Sequence, residues 1–181
     1  MKKLILLTTL LLPLIMFSQT QLGADINGQA AIDFSGRSVS SSSDGTIVAI
    51  GANGNAGYVR VYQYSSGTWT QLGADINGED DYDNSGVFVS LSSDGTKVAI
   101  GASYNDGNGS NAGQARVYSW DGISWTQLGG DIDGEAANDY FGQFVSLSSD
   151  GTKVAISSTY HGSNSGHVRV YQYSDSSWTQ L

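Results

Sequence analysis

Ser85-Gly86-Val87-Phe88-Val89-Ser90-Leu91-Ser92-Ser93-Asp94-Gly95-Thr96-Lys97-Val98-Ala99-Ile100-Gly101-Ala102 places two runs of strand-forming residues on either side of Asp94-Gly95. An Asp-Gly pair between such runs is a strong hairpin signal, because both residues tolerate the backbone of a tight turn. The stretch therefore predicts a first strand over 87–92 and a second over 97–102. The second run, Val98-Ala99-Ile100-Gly101-Ala102, is apolar or small on both faces instead of alternating with polar residues. A strand of that kind must be covered on both sides.

The same hairpin is written again around Asp44-Gly45 and Asp150-Gly151. Outward from it, Gln-Leu-Gly recurs at Gln21, Gln71 and Gln127, and Gln180-Leu181 starts the phrase once more. The chain thus repeats with a period of roughly fifty residues, in the range of units that each form one supersecondary element. In the middle copy a third strand is expected over 115–120 and a fourth over 124–132, turning at Asp121-Gly122. The extra residues of this copy, 103–113, are rich in Gly, Asn and Ser and read as a surface loop. No segment of the mature chain has a period of 3.6, so no helix is expected there.

Four strands per long repeat, each unit covered on two faces, predict an all-β chain: a partial β-propeller of three four-stranded antiparallel blades, part of a larger ring. The units run over 21–70, 71–126 and 127–181. A β-sandwich is the alternative, although it needs no fixed long repeat. Closed rings have four or more blades, so ring closure is expected either from further blades or from self-association. Residues 20–26 read as a stray fourth strand with no blade before it.

Asp139-Tyr140-Phe141-Gly142-Gln143-Phe144-Val145-Ser146, Val98-Ala99-Ile100-Gly101-Ala102 and the run from Gly113 to Tyr118 resemble the FG-GAP repeats of integrin-alpha-type propellers. The resemblance covers about residues 21–181. It implies an extracellular or cell-surface recognition or adhesion platform, with an unknown protein or carbohydrate ligand held by loops on one face. Two departures stand out: Ser35-Gly36 and Ser85-Gly86 replace Phe141-Gly142, and the family's calcium loop between first and second strands is absent. The Ser-Ser-Asp-Gly-Thr turns in its place look more like those of WD-repeat propellers.

Met1-Lys2-Lys3 followed by an apolar run over 4–17 and the polar Ser18-Gln19-Thr20 has the layout of a secretory signal peptide. Residues 1–18 are therefore expected to be removed and the rest to be secreted or held on the outer cell surface. No membrane insertion is expected once the signal has gone, since the run is short for a bilayer span and no stop-transfer segment follows. Cleavage removes Lys2 and Lys3 and no acid, which takes the formal charge of −9 two units further negative. An acidic surface disfavours nucleic acid as a partner. Without cysteine, core packing alone must hold the fold.

Asp81, Asp83 and Ser85 in Asp81-Tyr82-Asp83-Asn84-Ser85-Gly86 have the spacing of oxygens that opens a calcium loop, although Ser92 stands where a bidentate acid is needed. The run from Asn105 to Ser110 is a second such candidate. Arg60, Arg116 and Arg169 recur in the third strand, and Asp33, Asp83 and Asp139 recur before the blade glycine. Arginine among valines and tyrosines predicts a structural staple in each blade, reaching a carboxylate or loop carbonyl, in preference to a binding role. Trp69, Trp125 and Trp178, with Tyr64, Trp120 and Tyr173, read as packing between blades before they read as a carbohydrate-stacking face. His161 and His167 form neither a metal motif nor a triad, and no nucleophile elbow is present. Glu79 and Glu135 align as copies of each other, which points to structure. No catalytic residue and no organic cofactor is therefore expected, and calcium is the one cofactor candidate. A display spacer and a glycan-acting enzyme are the alternative functions.

Overall fold

The computed structural model describes residues 20–181, so the expected signal peptide lies outside the described residues. Three antiparallel sheets follow one another along the chain. The first holds β1 (Ser38–Ser41), β2 (Ile47–Ala52), β3 (Tyr58–Ser65) and β4 (Thr68–Gln71) in that order, with the short β5 (Ile76–Asn77) also paired to β3. The second holds β6 (Phe88–Leu91), β7 (Lys97–Ala102), β8 (Gln114–Trp120) and β9 (Trp125–Gln127), with β10 (Ile132–Asp133) also on β8. The third holds β11 (Val145–Leu147), β12 (Lys153–Ser158), β13 (His167–Ser174) and β14 (Ser177–Gln180). Register repeats with the sequence: Val39 faces Ile50, Val89 faces Ile100 and Val145 faces Ile156.

The Ser-x-Asp-Gly-Thr turns are self-contained devices. Asp94 accepts from the Ser92 hydroxyl at 2.6 Å and from the Thr96 N–H at 2.9 Å, while Ser92 Oγ accepts from the Lys97 N–H at 3.0 Å. Gly95, at φ +71°, supplies the left-handed residue that the turn requires. Equivalent bonds form around Asp44 and Asp150.

The core lies between sheets. One cluster joins Ala49, Val59 and Val61 of the first blade to Val89, Leu91, Val98 and Ile100 of the second. The next joins Ala99, Ala115 and Val117 of the second blade to Val145, Val154, Ile156 and Tyr171 of the third. Each blade therefore has a leading face of larger residues toward its predecessor and a trailing face of smaller ones toward its successor. Burial of each Val or Ile contributes about 1.5–3 kcal/mol, more than a single turn hydrogen bond, so stacking of blades dominates stability. The innermost strands are stitched as well, with the Leu91 N–H donating to Ser40 Oγ and the Leu147 N–H to Ser90 Oγ, each at 3.0 Å. Gly51 and Gly101 admit the next blade closely, since a β-carbon there would collide with the carbonyl oxygen of Gly86 or Gly142.

Three details depart from the sequence reading. The expected fourth strand over 124–132 breaks into β9 and β10, because Gly129 takes φ +77° and turns the chain so that both pieces return to β8. Residues 20–26 form no strand. Instead, Leu22 O accepts from Trp69 Nε1 at 2.9 Å. A four-residue helical turn, α1 (His161–Asn164), occurs where none was expected; Gly162 and Ser163 within it have φ +61° and +60°, so it is a loop turn without helical periodicity.

Candidate functional site

The loops that open each repeat meet the loops between second and third strands along one rim. The recurring aspartate organises this rim. Asp83 accepts from the Asp80 N–H at 3.1 Å and from Asn105 Nδ2 at 2.9 Å, which ties the repeat opening to the long loop of its own blade. Asp33 does the same with the Gln29 and Ala30 N–H groups and the Tyr58 hydroxyl, and Asp139 with the Ala136 N–H and His161 Nδ1. The Ala30 N–H and then the Tyr58 hydroxyl hold the Asp33 carboxyl below the usual range, as expected when donors favour the charged form.

The arginines are staples, as their recurrence predicts, but their partners are not the recurring aspartates. Arg60 grips Asp75 with two bonds, at 2.9 and 3.1 Å. Arg116 pairs with Glu79 at 3.4 Å and donates to the Asn77 carbonyl at 3.1 Å. Arg169 pairs with Glu135. Gln29 stands where the other copies have Glu79 and Glu135, and it donates to Asp75 at 2.8 Å, so the first blade recruits the nearby aspartate in place of the missing glutamate.

The tryptophans also prove structural. Trp125 Nε1 donates to Leu72 O at 2.9 Å and Trp178 Nε1 to Leu128 O at 2.7 Å, each bond crossing from one blade to the end of the blade before. Trp69, Trp125 and Trp178 pack tilted against Tyr64, Trp120 and Tyr173, at 5.1, 5.3 and 5.2 Å between ring centres.

The two calcium candidates of the sequence come together on one cleft of about 490 Å³. Asp81, Asp83, Asn105 and Asp106 line it, with Glu79, Asp80, Tyr82 and Tyr104. Asp81 is exposed, whereas Asp83 is buried and bonded as described. Ser85 is buried outside the cleft lining, and its hydroxyl has no hydrogen-bond partner among the described residues. Asn105 Oδ1 accepts from the Gly107 N–H at 2.8 Å, and Asp106 Oδ1 from the Asn111 N–H at 2.7 Å. No three His, Cys, Asp or Glu side chains among the described residues are arranged to hold a metal ion.

Beside this cleft runs a feature that sequence reasoning missed. Tyr104, Tyr140 and Tyr160 form an edge-to-face row, each ring centre 5.1 Å from the next. They come from three different loops; the outer two are about half exposed, and Tyr82 on the cleft wall is largely exposed. Tyr82 and Tyr140 also have φ +73° and +53°, a strained backbone for aromatic residues. Tyr104 and Tyr160 share one repeat position, two residues past the second strand of their blades, whereas Tyr140 comes from a repeat opening, so only three-dimensional proximity reveals the row.

No protein-family model and no curated sequence matches the chain. Among solved structures, it is similar to Sqt1 of Saccharomyces cerevisiae, with 14% identity and TM-score 0.55 over 83% of this chain and 35% of that one. It is also similar to a candidate 6-phosphogluconolactonase of Bacteroides fragilis, with 13% identity and TM-score 0.56 over 79% of this chain and 36% of that one. Hydrazine synthase of Kuenenia stuttgartiensis gives 11% identity and TM-score 0.55 over 90% of this chain and 38% of that one. At such identity the likeness is one of fold: the chain is a partial propeller, spanning little more than a third of each of these chains.

Proposed function

We propose that the chain is a non-enzymatic recognition module of the cell exterior, akin to the FG-GAP platforms it resembles, and that its ligand is a carbohydrate. The observation that carries this reading is the row of Tyr104, Tyr140 and Tyr160, whose two outer rings are 45% and 50% exposed, beside a cleft walled by carboxylates. Tyrosine rings offer flat apolar faces for the C–H face of a sugar, and carboxylates accept hydrogen bonds from its hydroxyl groups. Convergent polar groups beside an aromatic platform are the usual make-up of a small-ligand site. The negative charge of the cleft favours a neutral or cationic sugar over an anionic one.

A glycan array probed with the purified chain tests this. Binding is expected, and Tyr104→Ala and Asp81→Asn are each expected to weaken it about tenfold or more, the equivalent of 1.4 kcal/mol. Absence of binding to any glycan would support the spacer reading. Hydrolysis of a bound glycan would support the enzyme reading.

A further inference from the structure

Inward of the acidic cleft, at the head of the innermost strands, lies a second pocket of about 380 Å³ with a different chemistry. Asn84, Phe88, Ser103 and Tyr104 of the middle blade form most of its wall, and Asn53 of the first blade and Gln143 of the third face it from either side. The middle blade is packed against a neighbour on each face, so this wall is set by contacts within the stack. No carboxylate lines the pocket, and Arg37 is the one charged residue of its lining.

Its polar side chains are largely uncommitted. Those of Arg37, Asn53, Asn84 and Ser103 have no hydrogen-bond or ion-pair partner among the described residues. Ser103 is only 3% exposed, and a hydroxyl left unpaired at that depth costs free energy that a polar ligand group restores. Gln143 is held through its side-chain carbonyl by the Thr159 hydroxyl. Asn84 has φ +57°, at the position where Phe34 and Tyr140 stand in the other copies with φ +53° each. Asparagine is the one of the three that adopts this backbone readily.

Tyr104 joins the two sites, since it lines the cleft and the inner pocket alike. Its neighbours in sequence divide between them: Asn105 lines the cleft and Ser103 the pocket, as Asp83 lines the cleft and Asn84 the pocket. We infer that the inner pocket is a second sugar subsite, so that the chain reads an oligosaccharide of two or more linked units, one on the tyrosine row and cleft and the next seated inward of Tyr104. This rests on the carbohydrate reading and adds to it a requirement for length. Amide and hydroxyl side chains donate and accept hydrogen bonds, as sugar hydroxyls do. Phe88 and Phe144, edge to face with ring centres 4.9 Å apart, add apolar surface for a C–H face. The volume lies within the roughly 300–1,000 Å³ of small-ligand sites.

A glycan array that carries neutral hexoses and N-acetylhexosamines singly and as linked di- to tetrasaccharides, probed with the purified chain, tests this. Linked forms are expected to bind about tenfold or more tightly than the matching single sugar. Asn53→Ala and Asn84→Gly, the second keeping a residue at ease in the left-handed backbone, are each expected to bring that ratio close to one. Damage to the scaffold lowers both signals alike, so the ratio isolates the subsite, and a thermal melt of each variant checks the scaffold. Linked and single sugars bound equally, or a ratio that neither variant changes, would overturn the subsite and leave the carbohydrate reading standing. Binding to no glycan would overturn both.

Discussion

At His167 the third repeat departs from its sisters, which have Tyr58 and Gln114 at the same register position. The ring lies 4.1 Å from that of His161, and its Nε2 is buried without a partner. Burial, then the neighbouring His161 and Arg169, push its pKa below the ordinary 6.5. With the folded pKa lowered, the unfolded chain binds the proton more readily, so stability is complete above about pH 6.5 and is lost as the pH falls through the lowered value. Melting temperatures between pH 7.5 and 5 are therefore expected to decline, and His167→Gln to flatten that decline; an unchanged slope in the variant would contradict this role. The sequence shows His161 and His167 close together, but not that Asp139 bonds the first while the second stays unpartnered, because that difference depends on how one loop turns at Gly162.

The strand is the scale at which the sequence is most informative. Asp-Gly turns and two-sided apolar runs locate β2, β7 and β12, since local backbone chemistry and burial act there in the same direction. The fourth strand is less legible: Leu128-Gly129-Gly130-Asp131 lies between β9 and β10, and the chain turns there where Gly129 takes a left-handed backbone. The arginine staple is legible as a staple but not in its partner, because Asp75, Glu79 and Glu135 occupy two different positions of the repeat. The bond from Trp125 to Leu72 O makes a prediction for an element as a whole. Trp125→Phe keeps the aromatic packing and removes the donor, so it should destabilise the chain by about 1 kcal/mol, with roughly as much again if the carbonyl is left dry. Urea unfolding measures this, and a neutral effect would mean that the bond between blades contributes nothing.

In the whole molecule, three blades are held by their neighbours, so burial of a residue depends on its place in the stack as much as on its identity. The periodicity of the sequence predicts the stack; it does not reveal the rim, where Tyr104 and Tyr160, from matching positions of two blades, meet Tyr140 from a repeat opening. Since the chain has no cysteine, one thiol at a time can report on the stack. The most direct measurement is the rate of thiol labelling of Val39→Cys, Val89→Cys and Val145→Cys in dilute native protein. The first should react like a free thiol, and the other two should be strongly protected until the chain unfolds. Equal rates at the three positions would contradict the stacking of blades on which the fold rests.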